Sequence, residues 1–171
     1  MPGTEVLDVV DEHDRVVGEA TIEVCLSEGR LHRAVAVLVA RRDGRLVLQQ
    51  RSASDLWQPG KWTLSCTGHV RKGEDYPTAG ARELKEELGI EAQLKQVGKY
   101  LVPPITDGRL TEHEWTALFF AETDAALRPD PEELQDARDF SEREVEAMMR
   151  ERRLTEDAVI LMRRFLEGTR Q

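Results

Sequence analysis

Three glutamates at helical spacing are the strongest candidates for chemistry in this sequence. Glu83, Glu86 and Glu87 stand at positions i, i+3 and i+4, which share one face of an α-helix. Like charges at this spacing repel one another, so an ordinary solvent-exposed acidic helix, the alternative interpretation, gains no stability from them. A divalent cation such as Mg²⁺ reverses that balance, because it binds carboxylate and phosphate oxygens together. The spacing therefore predicts a site for a metal ion and a phosphorylated substrate.

The residues around the glutamates predict a loop that leads into this helix. Asp75 is placed to cap the first turn, and Pro77 fits that turn because its missing N–H costs little there. Gly89 follows the last apolar position and is predicted to end the helix. Gly80 is the exception, since a glycine inside a helix costs roughly 1 kcal/mol relative to alanine. We expect another backbone segment to pack closely against it.

Residues 68–90 resemble the Nudix box, G-x5-E-x7-R-E-U-x-E-E-x-G-U, where U is a bulky aliphatic residue, at every specified position. The chain is thereby identified as a member of the Nudix hydrolase superfamily. The resemblance implies an α/β fold of the Nudix type, an α/β/α sandwich with a mixed β-sheet between helical layers. It also implies Mg²⁺ or Mn²⁺ as the cofactor, and we expect residues 1–171 to form a single domain.

The resemblance implies a role for each matching position of the box. Glu83, Glu86 and Glu87 would bind the metal, and Glu83 would either share an ion or orient and deprotonate the attacking water. Arg82 is expected to orient a helix glutamate, and Glu74 to hold the loop. The residues expected to support the site in this way are Gly68, Glu74 and Arg82.

A second resemblance, from about residue 31 to residue 120, is to type I isopentenyl-diphosphate isomerase and the hydrolases related to it. It is carried by Leu31-His32-Arg33-Ala34, Pro59-Gly60-Lys61-Trp62-Thr63, Gly68-His69 and Glu112-His113-Glu114. In those enzymes two histidines and two glutamates of these motifs bind a metal, so the resemblance implies a second metal site. Histidine nitrogens would favour a transition ion there. The implied ligands are His32, His69, Glu112 and Glu114.

These four residues also have simpler interpretations. Either histidine could be a hydrogen-bonded, partly buried side chain, and two carboxylates on one face of a strand could be solvent-exposed. Because a Nudix site usually draws a further glutamate from outside the box, we expect Glu112 or Glu114 to complete the site or to act as the base. The catalytic residues that we expect are Glu83, Glu87 and Glu114.

The isomerase pattern is incomplete in this chain. Isomerisation needs a cysteine and a glutamate on opposite sides of an allylic system; the glutamate corresponds to Glu114, but Thr67 occupies the cysteine position. Cys66, one residue earlier, should face the other side of its strand. The isomerases' loop lysine and late tryptophan are also missing, and Cys25 replaces a further metal-binding histidine. We therefore expect hydrolysis of a phosphoanhydride in a small nucleoside-diphosphate-type or related substrate. Isopentenyl-diphosphate isomerisation, or nucleotide binding without turnover, are the alternatives.

Composition and charge restrict the partners. The chain has 171 residues, of which 40% are hydrophobic and 33% charged, and a formal net charge of −9. This negative charge argues against a nucleic-acid polymer as the main partner, but a bound metal ion would offset it for a small phosphorylated substrate. Arg51 and Arg71 are candidate substrate-binding residues, with exposed surface arginines as the alternative. With no apolar run of membrane-spanning length and no visible signal peptide, we expect a cytoplasmic protein without a membrane partner.

Hydrophobic periodicity and turn residues place these groups on strands and helices. The predicted strands are 5–10 and 15–20, which form a hairpin, 32–40, 45–51, 91–101 and 112–121. A loop at 52–67 is predicted to lead a short strand into the box, and another loop is predicted around Pro103-Pro104. Two C-terminal helices are predicted over about 141–168. The first opens at a capping box, Ser141-x-x-Glu144, and runs to about residue 152; the second runs from about 156 to 166 and ends at Gly168.

Overall fold

The computed structural model describes residues 4–169, which form a nine-stranded mixed sheet and four helices. The strands are β1 (Val6–Val10), β2 (Val16–Thr21), β3 (His32–Ala40), β4 (Leu46–Arg51), β5 (Trp62–Thr63), β6 (Cys66–His69), β7 (Lys95–Asp107), β8 (Leu110–Glu122) and β9 (Leu134–Phe140). The helices are α1 (Ile22–Glu28), α2 (Tyr76–Leu88), α3 (Glu142–Arg150) and α4 (Glu156–Thr169). None of these helices is long and apolar enough to cross a membrane.

The strand β3 is the centre of the sheet. It pairs in parallel with β8 along its whole length, from His32 opposite Glu114 to Ala40 opposite Glu122. Three other strands, β1, β6 and β4, pair with it antiparallel in succession. The strand β6 therefore lies beside the middle of β3 and β4 beside its last two residues, while β8 runs along all of it.

Alternate residues of β3 pack against helices on opposite faces of the sheet. Val35, Val37 and Val39 pack in one cluster with apolar residues of α2 such as Leu84. Ala36, Leu38 and Ala40 belong to a second cluster that contains apolar residues of α3 and α4. A central strand covered on both faces reads as a continuous apolar run, which is why residues 32–40 alternate so little. The predicted mixed α/β sandwich is confirmed.

The box helix α2 begins and ends where its sequence predicts. The Asp75 carboxylate accepts a hydrogen bond from the Thr78 backbone N–H at 2.8 Å, and Gly89 ends the helix with a φ of 65°. The expectation for Gly80 was wrong in detail, because side chains and not backbone pack against it. A Cβ there would lie 3.1 Å from Leu94 Cδ1 and 3.4 Å from Phe119 Cδ2.

The two predicted C-terminal helices are also confirmed. The bounds of α3 agree with the prediction to within two residues, and those of α4 to within three. The Ser141 hydroxyl accepts from the Glu144 N–H at 3.2 Å, and the Glu144 carboxylate accepts from the Ser141 N–H at 2.7 Å, which completes the capping box. The last turn of α4 reaches Thr169, beyond the predicted stop at Gly168.

Four elements differ from the sequence-based expectations. The two-residue strand β5 lies within the predicted loop at 52–67. The short helix α1 was not predicted; the Thr21 hydroxyl caps it and Gly29 ends it at a φ of 64°. The polar strand β9 was not predicted either, and it pairs with β4. The predicted loop around Pro103-Pro104 is instead part of β7, where the register with β8 shifts between Val102 and Ile105. Prolines are tolerated in strands at such bulges, because no ladder hydrogen bond is required of them there.

Candidate active site and metal centre

One cavity of about 1310 Å³ collects most of the residues that the sequence suggests for chemistry. Its wall contains the three box glutamates of α2 and also residues from β4, β6, β8 and α4. The second group of predicted ligands contributes His69, Glu112 and Glu114 to the same wall. The two predicted metal positions therefore open into a single space, large enough for a small phosphorylated molecule.

The box glutamates lie at different depths along that wall. Glu83 and Glu87 are 9% and 8% exposed, whereas the Glu86 side chain is 47% exposed. Gly68 on β6 makes the burial of Glu83 possible, because a Cβ at this glycine would overlap the Glu83 side chain. Glycine at this position thus allows β6 and α2 to approach closely enough for the carboxylate to face the cavity.

Arg82 connects the loop, the strand and the helix of the box. Its guanidinium donates to both carboxylate oxygens of Glu74, at 2.8 and 2.9 Å, and to the His69 carbonyl at 3.0 Å. It also donates to Glu83 at 2.5 Å and to Glu86 at 3.3 Å. Glu74 in turn accepts from the Arg71 backbone N–H at 3.0 Å. These contacts hold two of the three glutamates beside the cavity.

The buried glutamates resist ionisation in the absence of a cation. Burial, reinforced by the charge of Glu86, raises the pKa of Glu83 from 4.5 to about 7, although Arg82 opposes the shift. Burial and the charge of Glu83 raise the pKa of Glu87 well above its usual range. A divalent ion between these carboxylates would favour their charged forms.

Gln49 on β4 holds Glu87 and was not predicted from the sequence. Its side-chain amide donates to Glu87 Oε2 at 2.7 Å, and the residue is only 2% exposed. The hydrogen bond favours the charged carboxylate and fixes its orientation. A polar residue at the end of an apolar strand was the available signal, but nothing in its spacing connects it with the box.

Four side chains from three segments meet beside the box. One potential ligand atom from each of His32, His69, Glu112 and Glu114 lies within 4.8 Å of the other three. His32 Nε2 is 3.4 Å from Glu112 Oε2 and 3.6 Å from Glu114 Oε1, while His69 Nε2 is 3.5 Å from both glutamates. The parallel pairing of His32 with Glu114 sets one of these contacts. The group contains two imidazoles and two carboxylates, a ligand set suited to a transition ion.

The hydrogen bonding of this cluster fits a metal ion. His32 is fully buried, and its Nδ1 donates to the Arg30 carbonyl at 2.8 Å in the tautomer that leaves Nε2 free to bind a metal. His32 Nε2 and Glu112 Oε2 are both shielded from solvent without a hydrogen-bond partner among residues 4–169. Buried polar atoms left in this way are costly, and an ion between them would satisfy both.

Protons are the alternative occupants of the cluster. Although burial opposes the charged form, the nearby carboxylates of Glu112 and Glu114 raise the pKa of His32 to about 9. The same two glutamates outweigh the burial of His69 and raise its pKa well above the usual value. Metal binding would displace these protons, so affinity for the ion should increase with pH.

Neither cysteine is a member of the four-residue ligand group, although Cys25 lies near enough to His69 and Glu112 for their charges to act on its thiol. On β6, Thr67 and His69 face one side of the sheet, whereas Cys66 faces α2 within its apolar cluster. Cys66 is fully buried, and burial raises the pKa of its thiol well above the usual range. Cys25 packs with apolar residues of β1 and α1 and is not part of the four-residue ligand group.

The two predicted substrate-binding arginines line the cavity but already have protein partners. Arg51 donates to the Trp57 carbonyl at 2.8 Å and to Asp55 at 2.7 Å. Arg71 donates to Glu5 at 2.7 Å and lies 3.9 Å from Glu86. Arg71 is the more exposed of the two, with a side chain 49% accessible compared with 20% for Arg51.

Among the acidic residues of the wall that were not predicted, two have raised pKa values. Glu133, just before β9, has its pKa raised by burial and by neighbouring carboxylates. Asp157, in the first turn of α4, has its pKa raised to about 6 by burial and by the charge of Glu114. In the sequence each looks like an ordinary polar residue at the border of an element.

Comparisons with known proteins agree with this geometry. A family model described as NUDIX domain matches residues 30–165. The isopentenyl-diphosphate Delta-isomerase of Serratia proteamaculans is 37% identical over 129 residues, which cover 75% of this chain and 72% of the relative. A protein of Pseudomonas aeruginosa named as an uncharacterized Nudix hydrolase is 37% identical over 135 residues, 78% of this chain and 77% of the relative.

A solved structure shows the same fold. The crystal structure of DR0079 from Deinococcus radiodurans superposes with a TM-score of 0.78 at 24% identity, and the match covers 94% of this chain and 98% of the other. With the complete box on α2 and a family match that extends from β3 into α4, the chain belongs to the NUDIX domain family, in a branch whose relatives include proteins named isopentenyl-diphosphate isomerase.

Proposed function

We propose that this protein is a pyrophosphohydrolase that uses Mg²⁺ or Mn²⁺ to cleave a phosphoanhydride in a small nucleoside-diphosphate-type or related substrate. The main support is the set of box carboxylates that face one cavity while two of them are buried. Buried carboxylates with raised pKa values are unfavourable unless a cation accompanies them. A binding module without turnover would not require all three.

The residues of the chain divide the work as follows. Glu83, Glu86 and Glu87 would hold the ion or ions, and Gln49 and the box arginine keep two of these carboxylates oriented. A bound divalent ion supplies neutralisation of phosphate charge and a lowered pKa for coordinated water. Glu83 would either share an ion or orient and deprotonate the attacking water.

The residues outside the box would complete the site. Glu114 lies in the same cavity as the box and is a candidate for a further ligand or for the base. His32, His69, Glu112 and Glu114 would hold a second ion, for which the unpartnered His32 and Glu112 atoms give the support. Arg71, partly exposed beside Glu86, is the better placed of the two arginines for a phosphate oxygen.

Isomerisation is the second candidate, because several relatives are named isopentenyl-diphosphate isomerase and the four-residue cluster contains Glu114. The orientation of β6 argues against it. A thiol acid would have to face Glu114, yet Cys66 is buried on the side of the sheet that packs against α2. Thr67 does face the cluster, but its hydroxyl is a far weaker acid than a thiol.

A panel of phosphorylated compounds tests the proposal. Nucleoside di- and triphosphates, dinucleotides and isopentenyl diphosphate would be incubated with Mg²⁺ or Mn²⁺, and phosphate release would be measured. We expect release from at least one anhydride, its loss in EDTA, and its loss in the Glu87→Gln protein but not in a Glu91→Gln control, whose side chain is exposed. Release that continues in EDTA or in the Glu87→Gln protein would contradict the assignment.

A further inference from the structure

One carboxyl in the cavity belongs to neither group of metal ligands. Asp157, from the first turn of α4, lines the cavity together with Leu161 of the same helix. It is not a member of the four-residue ligand group, whose atoms lie within 4.8 Å of one another. It also belongs to a different element from the box glutamates. Asp157 is therefore not among the predicted ligands of either ion, and metal binding does not explain why its carboxyl lines the cavity.

The Asp157 carboxyl has an unfilled hydrogen-bonding position. Its Oδ1 atom is shielded from solvent and has no hydrogen-bond partner among residues 4–169. The neighbouring cation, Arg51, does not supply a donor, because its guanidinium is engaged with the Trp57 carbonyl and Asp55. The other charged groups that influence it, Glu112 and Glu114, carry the same sign as the carboxylate.

Thr155 is a hydrogen-bonding neighbour of the Asp157 carboxyl, but the Oδ1 position stays unfilled. A carboxyl with an unfilled acceptor position in a cavity wall discriminates between ligands. Because Asp157 lines the cavity, a ligand bound there can bring a donor to this carboxyl. A hydroxyl or amino group on the ligand would fill the position, whereas an apolar hydrocarbon would shield the carboxyl and leave it unpaired. Sites built around such a hydrogen bond strongly reject analogues that lack the donor.

We propose that Asp157 accepts a hydrogen bond from a hydroxyl or amino group of the substrate's non-phosphate part. The favoured substrates are then diphosphates of polar groups such as nucleosides or sugars, and prenyl diphosphates are disfavoured. This inference rests on the proposed function, because ions at the other two groups of residues would hold the diphosphate and direct the remainder of the molecule towards α4.

Binding of uncleavable analogues tests this inference without requiring turnover. The methylene-bridged analogues of ADP and of isopentenyl diphosphate would be titrated calorimetrically into wild-type protein with Mg²⁺. The variants are Asp157→Leu, which removes the acceptor, and Asp157→Asn, which keeps one acceptor oxygen and serves if the leucine variant does not fold. Glu156→Gln is the matched control, an exposed carboxylate in the same helical turn.

We expect the wild type to prefer the ADP analogue. Asp157→Leu should weaken its binding by about 10- to 100-fold, as for loss of a hydrogen bond to a charged group, without weakening the prenyl analogue. Asp157→Asn should fall between wild type and Asp157→Leu, and Glu156→Gln should match wild type. Equal effects on both analogues, an unchanged ADP affinity in the leucine variant, or no binding of either analogue to wild type would overturn the inference. Failure of Mg²⁺-dependent phosphate release with intact discrimination in binding would count against the proposed hydrolysis alone.

Discussion

Replacing Glu83 with glutamine should stabilise the protein without metal and weaken its response to metal. The Glu83 carboxyl is 9% exposed, and its pKa lies at about 7 compared with 4.5 for the free side chain, mainly because of burial. Because its pKa is higher in the folded than in the unfolded state, this carboxyl makes its full contribution to the free energy of unfolding only below pH 4.5. Its contribution to stability is lost as pH rises through about 7.

The size of the effect follows from those two values. At about 1.4 kcal/mol per pKa unit, the difference corresponds to an upper limit of about 3 kcal/mol at pH 8 in the absence of metal. Each kcal/mol changes the melting temperature of a chain of this size by roughly 2–4 °C. Glutamine has a similar shape and cannot ionise, so Glu83→Gln should melt above wild type in EDTA at pH 8, with an upper limit of roughly 6 to 12 °C. This gap should narrow towards pH 5.

Thermal unfolding between pH 5 and pH 8, in EDTA and in millimolar Mg²⁺, measures both parts of this prediction. Wild type should gain more stability from Mg²⁺ than the variant, because a ligand that binds only the folded state stabilises it according to its affinity. Glu167→Gln, an exposed change on α4, should match wild type throughout. The reasoning is refuted if Glu83→Gln melts with wild type in EDTA at pH 8, or if both proteins gain equally from Mg²⁺.

Three further changes have defined outcomes. Glu87→Gln should lower kcat by at least about 10²-fold, since it removes charge from the ion's ligands. Retention of activity would show that Glu87 is not a ligand of the ion. Gln49→Leu should shift the acidic limb of the pH–rate profile to higher pH, because the amide favours the charged form of Glu87, and an unshifted limb would show that the contact is only structural. In extensively dialysed protein, metal analysis should find about one transition ion in wild type and none in a His32→Ala, His69→Ala double variant. Metal-free wild type with intact Mg²⁺-dependent turnover would show that the box acts alone.

Local signals predicted α2 well, because its caps and its glutamates are encoded within a few residues of one another. The helical period correctly placed three carboxylates on one face, but it carries no information on depth. The burial of Glu83 depends on the glycine of β6, and the burial of Glu87 on its contact with Gln49, both from other elements. The raised pKa values, and with them the argument for a cation, therefore became visible only in the tertiary structure.

The second cluster could not have been assembled from spacing. His32 and Glu112 are eighty residues apart in the sequence, and parallel pairing of β3 with β8 brings them together. The resemblance to the isomerases supplied this grouping, whereas Asp157 and Gln49 belong to no motif and were missed. The short helix α1 and the polar strand β9 were missed because their sequences lack the periodicity on which prediction depends.

The most direct test of the central claim is NMR of one reaction mixture in D₂O. Wild-type protein, Mg²⁺, a nucleoside diphosphate and isopentenyl diphosphate would be followed by ³¹P spectra for anhydride cleavage and by ¹H spectra for exchange at the allylic positions. We predict that inorganic phosphate appears from the nucleoside diphosphate, that Glu87→Gln abolishes it, and that the allylic protons of isopentenyl diphosphate persist. Sustained allylic exchange that is lost in Glu114→Gln, with both diphosphates intact, would contradict hydrolysis and identify the protein as an isomerase.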